Sequence, residues 1–366
     1  RAGNHTRGGS LMLSASDRVV LLQHDGLKSL TGKTGLAMLR HRPGPIVAVV
    51  DPSQARGSLQ AITGIEREVP VVGSLEEALP FAPEVAVIGL APSGGRLPDP
   101  LRRDALVALQ RGLNLASGLH TRLADDAELR AACWDDRWIW DLRREPEQLQ
   151  VAQARASALS CHRLLAVGTD MAVGKMSACL ELLQAARARS LPCQFVGTGQ
   201  AGILIEGGGV ALDAVRVDYA AGAVEAAVMA AAECLPAHGL VLVEGQGSLC
   251  HPGSSATLPL LRGSQPTALL LVHRARQSTI DRLPAIPLPP LSELVALTEG
   301  LARLARPADA PSPRVCAVAL NTARLDATAA RSAVEALSQD LALPCTDPVR
   351  WGGAPLLEAV LQSEAN

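Results

Sequence analysis

Short apolar runs alternate with helix-length segments along most of the chain, and this alternation constrains the fold more than any other feature. The strand-like runs lie at 18–23, 45–51, 85–89, 164–167, 193–196, 239–243, 267–272 and 315–320. The helix-length segments between them lie at 34–41, 75–79, 103–111, 175–189, 220–234, 291–305 and 326–340. The runs are apolar throughout, which is typical of strands buried on both faces of a parallel sheet. The sequence therefore predicts an α/β fold built from doubly wound parallel sheets.

The length of 366 residues is suited to two domains, each with its own core. We place the boundary near residue 150, which gives domains 18–150 and 151–366, with a helical connection over 146–160. The polar, glycine-containing stretch at 1–17 is expected to be a disordered end or an addition left from cloning. The proline-rich run 283–291 is expected to be a surface loop, with a ligand for proline-binding modules as the alternative.

Composition excludes several classes of function. Lys and Arg number 34 against 36 Asp and Glu, the formal net charge is -2, and aromatic residues make up 2%. Nucleic-acid binding proteins usually carry a basic face or stacking aromatics, so no nucleic-acid partner is expected. No run of about 20 apolar residues is present, so no membrane partner is expected either. The eight cysteines show no C-x-x-C pair and favour free thiols in a reducing cytoplasm. We expect a cytoplasmic enzyme that acts on a small molecule and forms a homo-oligomer.

The stretch GTDMAVGKMS, residues 168–177, follows a predicted strand and opens a predicted helix. Backbone N–H groups and the helix N-terminus can converge there on one phosphate, with Lys175 reaching its outer oxygens. The stretch departs from G-x-x-x-x-G-K-[ST] because five residues separate its glycines and because Met176 replaces the hydroxyl that binds magnesium. The alternative is an ordinary loop-to-helix junction. The predicted phosphate-binding residues are Gly168, Thr169, Asp170, Val173, Gly174, Lys175, Met176 and Ser177.

An acid ends another buried strand in LVLVEGQGS, residues 240–248. Glu244 at that position can hold the water shell of a metal near the phosphates, act as a general base, or simply cap the following turn. Without a hydroxyl at position 176, the candidate Mg²⁺ ligands are Asp170, Asp218 and Glu244. His251, shortly after the glycine loop, is a second candidate proton acceptor or else an ordinary loop histidine.

Other polar residues at predicted strand ends are candidates for substrate binding, because ligands bind at the carboxyl edge of open α/β sheets. Asn321 can pair with a nucleobase edge or merely form a turn. Turn residues at 51–53, 91–95 and 117–120 mark the same edge in the first half. Arg262, His120 and His273 are further candidates for binding an anionic substrate. For His273 and Arg274, solvation at the surface is the alternative. The predicted substrate-binding residues are Thr198, Gln200, Gly245, Gln246, Gly247 and Arg274. For the glycine loop with Thr198 and Gln200, an ordinary tight turn after the strand is the alternative.

The first half lacks the G-x-G-x-x-G fingerprint after its first strand, so a nicotinamide cofactor is not expected. The stretch TGKT at 31–34 opens a helix and offers either an anion site with Lys33 or a capped helix start with a solvated lysine.

Taken together, GTDMAVGKM, FVGTGQAGILI, VEGQGSLCHPGSSATL, LNTARLD and LPCTDPVRWG resemble the D-glutamate N-acetyltransferase-like family, long catalogued as a domain of unknown function. In the first half GLAMLR, IGLAPSGG, GLNLASGLH and DLR are also similar. The resemblance covers nearly the whole chain from about residue 20. It implies a Rossmann-like first domain, a P-loop NTPase-like second domain, and acetyl transfer from acetyl-CoA to the amine of an acidic D-amino acid.

GTDMAVGK and VEGQG also resemble dethiobiotin synthetase, in which the matching residues serve ATP. That resemblance implies that Lys175 binds phosphates, Glu244 helps to hold Mg²⁺, and Asn321 reads adenine. Met176 departs from that enzyme and is typical of the acetyltransferase-like family. Three hypotheses follow: an acyl-CoA-dependent N-acetyltransferase, an ATP-dependent ligase or kinase, and a nucleotide sensor without turnover. Coenzyme A carries a pyrophosphate that a P-loop can hold, and acyl transfer needs no metal.

Overall fold

A computed structural model describes residues 13–90 and 97–363. Residues 1–12 of the end predicted to be disordered lie outside the described residues. The turn predicted at 91–95 lies outside them as well.

Fourteen strands are assigned within the described residues. They are β1 Val19–Leu22, β2 Ile46–Val50, β3 Val71–Val72, β4 Val85–Ile88, β5 Asn114–Ser117, β6 Ile139–Asp141, β7 His162–Gly168, β8 Cys193–Val196, β9 Leu240–Val243, β10 Ala268–Arg274, β11 Thr279–Ile280, β12 Leu283–Pro287, β13 Arg314–Asn321 and β14 Cys345–Thr346.

Thirteen α-helices are assigned within the same residues. They are α1 Lys33–His41, α2 Leu59–Thr63, α3 Leu75–Ala78, α4 Asp99–Gln110, α5 Ala127–Ala132, α6 Lys175–Ala188, α7 Gln200–Glu206, α8 Val217–Glu233, α9 Thr257–Ser264, α10 Leu291–Ala302, α11 Ala327–Leu341, α12 Pro348–Trp351 and α13 Ala354–Ser363. Short 3₁₀ helices lie at Leu30–Gly32, Pro52–Gln54, Leu79–Phe81, Leu123–Asp125, Arg155–Ala158 and Leu212–Ala214.

The first sheet has the strand order β3-β2-β1-β4-β5-β6, and every pairing in it is parallel. This is the strand order of a Rossmann-like domain, in which successive strands are added toward one edge from β1 to β3 and toward the other edge from β4 onward. Strand β1 is buried at all four positions because helices cover both faces of the sheet. Its core is aliphatic, with Leu22, Ile88, Leu101 and Leu115 among the fully buried side chains.

The second sheet has the order β14-β13-β10-β7-β9-β8 and is also entirely parallel. Strand β7 lies between β10 and β9, so the loop that follows it emerges at the middle of the carboxyl edge. The pairing register sets Gly168 beside Val272 in β10, and Arg274 beside Asn321 in β13. The prediction of two doubly wound parallel sheets is confirmed.

Two local predictions are wrong. The segment predicted as a helix at 146–160 has only the 3₁₀ turn Arg155–Ala158. The carboxylate of Glu225, fully buried in α8, accepts hydrogen bonds from the backbone N–H groups of Gln153 and Arg155 at 3.1 and 2.7 Å. These contacts replace helical hydrogen bonds and hold the segment extended along α8.

The proline-rich run was expected to be a loop, but its first part is the strand β12. It pairs antiparallel with β11, and its side chains are mostly exposed. Proline is compatible with such an edge strand because its missing N–H falls where no pairing is needed.

The contacts divide the chain into two compact units. The first contains the residues up to Arg144 together with Gln200–Ala211, and the second contains Glu145–Gly199 and the residues from Leu212 onward. The segment around α7 thus groups with the first unit. Within the described residues, no helix has both the length and the apolar character needed to cross a bilayer.

Candidate functional site

The loop between β7 and α6 has the conformation of a phosphate-binding loop. Its last glycine, Gly174, has φ 112°, which side chains with a Cβ rarely adopt. Helix α6 begins at Lys175, so its first N–H groups open toward the loop. A Cβ at Gly168 would lie 2.7 Å from Nζ of Lys175, so glycine leaves room for the lysine to lie across the loop. The half-buried Met176 and Ser177 occupy the first turn of α6.

Lys175 is the central cation of this loop. Its side chain is only 7% exposed, and Nζ donates a hydrogen bond to the carbonyl oxygen of Asp170 at 2.9 Å. Burial lowers the pKa of the ammonium to about 8, although the charges of Asp170 and Glu244 act in the opposite direction. A phosphate in the loop would supply the negative charge that this buried cation lacks.

Glu244 directly follows β9 and is 3% exposed. Its Oε2 accepts hydrogen bonds from the backbone N–H groups of Thr198 and Gly199 at 2.8 and 3.1 Å. Burial raises the pKa of this carboxyl to about 7, against these hydrogen bonds and the charge of Lys175. The carboxyl therefore holds the second glycine loop in place and titrates near neutral pH, as a general base should.

Asp170 joins the phosphate-binding loop to the segment after β10. Its Oδ1 accepts from the N–H of Met171 at 2.6 Å. Its Oδ2 accepts from Nε2 of Gln277 at 2.6 Å and from the N–H of Asp281 at 2.7 Å. Both oxygens thus have protein donors, which suits a structural role better than metal binding.

The predicted metal ligands are not brought together into a cluster. Asp218 is exposed in the first turn of α8, and it is not among the charges that act on Lys175. In the part of the chain that the structure describes, no group of three or more His, Cys, Asp or Glu side chains is arranged to hold a metal ion. Magnesium binding by Asp170, Asp218 and Glu244 stays a prediction.

Ser248 connects the glycine loop after Glu244 to the phosphate-binding loop through a hydrogen bond. Sequence reasoning did not predict a role for this residue. The Ser248 hydroxyl, 1% exposed, donates to the carbonyl oxygen of Thr169 at 2.9 Å. Gly247 has φ 64°, and a Cβ there would lie 1.8 Å from the hydroxyl of Ser254. A Cβ at Gly245 would lie 1.9 Å from the carbonyl oxygen of Ala166. These glycines are required by close packing.

Two further candidates lie beside Glu244 or in the following loop. Nε2 of Gln246 lies 3.4 Å from Oε1 of Glu244. His251 is half-buried, and its Nδ1 accepts a hydrogen bond from the N–H of Gly253 at 3.0 Å. That bond fixes the ring and leaves Nε2 as its other hydrogen-bonding atom.

The end of β10 supports the phosphate-binding loop from the other side. His273 Nδ1 and the Thr169 hydroxyl are 3.0 Å apart, and burial lowers the pKa of His273 to about 4, so the ring is neutral at pH 7. Nη2 of Arg274 donates to the carbonyl oxygen of Ala172 at 2.7 Å. Both residues therefore contact the loop itself. Binding of a substrate by His273 or Arg274 stays a prediction.

Asn321 ends β13 and also contacts this loop. Its Nδ2 donates to the carbonyl oxygen of Val173 at 2.9 Å, and its Oδ1 accepts from the N–H of Ala323 at 3.1 Å. Reading of a base by this amide stays a prediction.

Gln200 begins α7, which groups with the first compact unit, whereas Thr198 lies in the second. His120, Arg262 and Lys33 have exposed side chains.

In the first unit, the carboxylate of Asp51, which directly follows β2, accepts hydrogen bonds from nearby protein groups. Asp51 accepts from the N–H groups of Asp25 and Leu27 at 3.0 and 3.2 Å and from the hydroxyl of Ser53 at 2.8 Å. In dinucleotide-binding domains an acid at this place binds a ribose. Here it shapes the loop after β1.

Comparison with known proteins gives a consistent result for both halves. Residues 150–357 match a domain of unknown function, the DUF1611 P-loop domain, and residues 52–145 match the DUF1611 Rossmann-like domain. The chain is 35% identical over 289 residues to a D-glutamate N-acetyltransferase of Tritonibacter scottomollicae, a match covering 78% of this chain and 84% of that protein. It is 34% identical over 281 residues to a D-glutamate N-acetyltransferase of a Pseudoalteromonas species, covering 76% and 82%. A crystal structure of a DUF1611 family protein from Anabaena variabilis is 50% identical, with a TM-score of 0.86, and the match covers 95% of this chain and all of that one.

Proposed function

This chain belongs to the DUF1611 family, and on that basis we propose that it is an acyl-CoA-dependent N-acetyltransferase acting on the amine of an acidic amino acid such as D-glutamate. The proposal takes its reaction from the relatives named above and its site from the loop between β7 and α6.

The observation that carries the proposal is a phosphate-binding loop with a buried lysine but without the usual magnesium ligand. Lys175 and the N-terminus of α6 are arranged for a pyrophosphate, whereas position 176 is Met and both carboxylate oxygens of Asp170 are bonded to protein donors. A ligand whose phosphates are bound but not cleaved fits this arrangement, because no charge develops on a leaving phosphate.

The residues present fit acetyl-CoA in this role. Lys175 and the N–H groups at the start of α6 would bind the pyrophosphate. Acetyl-CoA would supply a thioester, so that a C–N bond to the amine forms as the C–S bond breaks and the thiol is released.

The chain's own residues would then handle the proton and the developing negative charge. Glu244, with a pKa of about 7, would accept the proton of the attacking amine. The backbone N–H groups of residues 245–247 would donate hydrogen bonds to the carbonyl oxygen as it gains charge. His251 is the alternative proton acceptor.

A thermal-shift titration with acetyl-CoA, ATP and GTP, each with and without Mg²⁺, tests the ligand. A ligand at 100 times its dissociation constant stabilises by about 2.7 kcal/mol. We expect a shift with acetyl-CoA that does not require Mg²⁺ and is lost in Lys175→Ala. Lys33→Ala is the matched control, because this exposed lysine also begins a helix but lies in the other unit.

Product formation completes the test. Release of thiol and formation of an N-acetylated product from acetyl-CoA and D-glutamate are expected. Mg²⁺-dependent ATP turnover without acetyl transfer would instead show a ligase or kinase, and binding without any product would show a sensor.

A further inference from the structure

A cavity of about 410 Å³ lies next to the phosphate-binding loop in the second unit. Its walls come from the segment after β10, residues 274–282, and from Arg324 and Leu325 after β13. Two of its residues hold the phosphate-binding loop directly, because Arg274 donates to the carbonyl oxygen of Ala172 and Gln277 donates to Asp170. The cavity and the phosphate-binding loop are therefore adjacent and share these two residues.

The cavity is strongly basic. Four arginines line it, Arg274, Arg276, Arg282 and Arg324, against one acid, Asp281. Three of them are exposed, and among the described residues none of those three forms an ion pair. The charge of Arg276 helps to lower the pKa of Asp326. The carboxylate of Asp326 caps α11 by accepting a hydrogen bond from the N–H of Ala329. Positive charge is thus left available to an incoming anion.

Two buried polar atoms of the cavity walls lack hydrogen-bond partners. Arg274 is 9% exposed, and its Nη1 makes no hydrogen bond, with Oδ2 of Asp281 3.9 Å away. Gln277 donates through Nε2 to Asp170 and to the carbonyl oxygen of Thr279, while its Oε1 has no partner. Buried polar groups are nearly always paired, so this donor and this acceptor mark a part of the wall whose hydrogen bonding is incomplete.

We propose that this cavity binds the 3′-phosphorylated adenosine end of coenzyme A, with the 3′-phosphate among the exposed Arg276, Arg282 and Arg324. The proposal rests on the proposed function, which puts the pyrophosphate at Lys175. A phosphomonoester carries close to two negative charges at neutral pH, and guanidinium groups bind it through paired N–H donors. ATP and GTP lack this phosphate, so the cavity would select coenzyme A over them.

The experiment compares the dissociation constants of acetyl-CoA and 3′-dephospho-acetyl-CoA by calorimetry. The proteins are the unchanged chain, Arg282→Ala, Arg324→Ala and their double variant. The matched control is Arg303→Ala, an exposed arginine in the same unit that does not line the cavity. Circular dichroism verifies that each variant is folded.

We expect the unchanged chain and the control to bind acetyl-CoA at least about tenfold more tightly than the dephospho form. In the double variant this ratio should fall toward one, because acetyl-CoA binding weakens while dephospho binding stays the same. A ratio near one in the unchanged chain overturns the proposal even if every variant misfolds.

A further comparison identifies the anion. If the variants raise KM for the amino-acid acceptor and leave the acetyl-CoA to dephospho ratio intact, the arginines bind a substrate carboxylate and the proposal is wrong. If acetyl-CoA fails to bind the unchanged chain, the proposed function itself fails. Lys175-dependent binding of both forms with equal affinity removes only the 3′-phosphate site.

Discussion

At the scale of residues, burial brings the pKa values of Lys175 and Glu244 to about 8 and about 7. In both cases the cause is the loss of water around a charged group. The opposite charges of Lys175 and Glu244 act against these shifts but only partly offset them. Opposite shifts of an acid and a base in one site are typical of functional sites, because ordinary surface groups keep their usual pKa values.

Replacing the acid tests its role in proton transfer. In Glu244→Gln the side chain still offers an oxygen to the N–H groups of Thr198 and Gly199, so acetyl-CoA binding should persist. Turnover should fall by about 10²–10⁴-fold, because an amide cannot accept the proton. Steady-state kinetics and a binding titration measure the two effects, and substitution of an exposed acid in α10, Glu293→Gln, is the control. Unchanged turnover would remove Glu244 from the chemistry.

The pH profile gives an independent test of the same carboxyl. Glu244 must be ionised to accept a proton, so kcat/KM should rise with pH through about 7. This rise should be missing in Glu244→Gln, which has nothing to ionise there. A rise that persists unchanged in the variant would assign it to another group, with His251 the first to examine.

The buried lysine should lower the stability of the ligand-free protein. Its pKa is about 8 when folded against 10.5 in the unfolded chain, so Lys175→Met should raise the free energy of unfolding at pH 7 by about 1–3 kcal/mol. Between pH 8 and 10.5 the unfolded chain binds more protons, so the unchanged protein gains stability and the difference should narrow by pH 9.5. Urea unfolding at pH 7 and pH 9.5 measures the difference in the free energy of unfolding between the two proteins. A difference that increases with pH would contradict the lowered pKa of Lys175.

Sequence reasoning found Lys175 and Glu244 because each follows a recognisable strand in a recognisable motif. It could not find Ser248 or Gln277, whose hydrogen bonds to Thr169 and Asp170 join segments 79 and 107 positions apart. It also could not find the bond from Arg274 to Ala172, because that bond depends on how the loop folds back. Local motifs reveal which residues meet a phosphate, but the supporting contacts come from tertiary packing.

At the scale of elements, a buried glutamine determines how closely β1, α1 and β4 pack. Nε2 of Gln23 donates to the carbonyl oxygen of Gly32 at 2.8 Å, and the N–H of Gly35 donates to Gly89 at 2.9 Å. A Cβ at Gly35 or Gly89 would lie 1.9 or 2.0 Å from Oε1 of Gln23, which is fully buried. Glycine is therefore needed at both positions.

A pair of glycine substitutions separates this packing from helix propensity. Alanine inside a helix normally gains about 1 kcal/mol over glycine, and Gly300→Ala in α10, where nothing lies within 4 Å, should show that gain. Gly35→Ala in α1 should instead destabilise by about 1–3 kcal/mol through overpacking. Adding Gln23→Ala should recover part of the loss, since the two residues are in contact. Urea unfolding midpoints of the three variants measure these changes in stability. If Gly35→Ala stabilised the protein, the packing argument would be wrong.

The long elements were predictable because a buried strand or an amphipathic helix shows its pattern over enough residues. Strand β5 was missed, because Asn114–Ser117 is short and starts with a polar residue whose Oδ1 accepts from the N–H of Trp138. The false helix at 146–160 had suitable composition but lies against Glu225 and Gly222 of α8. A Cβ at Gly222 would lie 1.7 Å from the carbonyl oxygen of Gln150. Pattern alone cannot reveal such long-range contacts.

At the scale of the whole molecule, chain order and structural units do not coincide. Helix α7 follows β8 of the second sheet, yet it packs against α1 and groups with the first unit. The side chains Ile203, Leu204 and Ile205 are at most 2% exposed, and Arg42 reaches the carbonyl oxygens of Leu204 and Ile205 at 3.5 Å. A boundary near residue 150 was the natural prediction, because nothing in the composition around 200–211 marks a return to the earlier unit.

A core substitution in α7 should therefore destabilise the first unit. Leu204→Ala removes a fully buried side chain and should cost about 2–5 kcal/mol. Because α7 packs on α1, amides of Lys33–His41 should lose more protection in native-state hydrogen exchange than those of Val217–Glu233 in α8. Leu294→Ala in α10, where the leucine is 2% exposed, is the matched control and should leave α1 protected. Equal loss of protection in α1 and α8 for Leu204→Ala would show instead that the two units unfold as one cooperative structure.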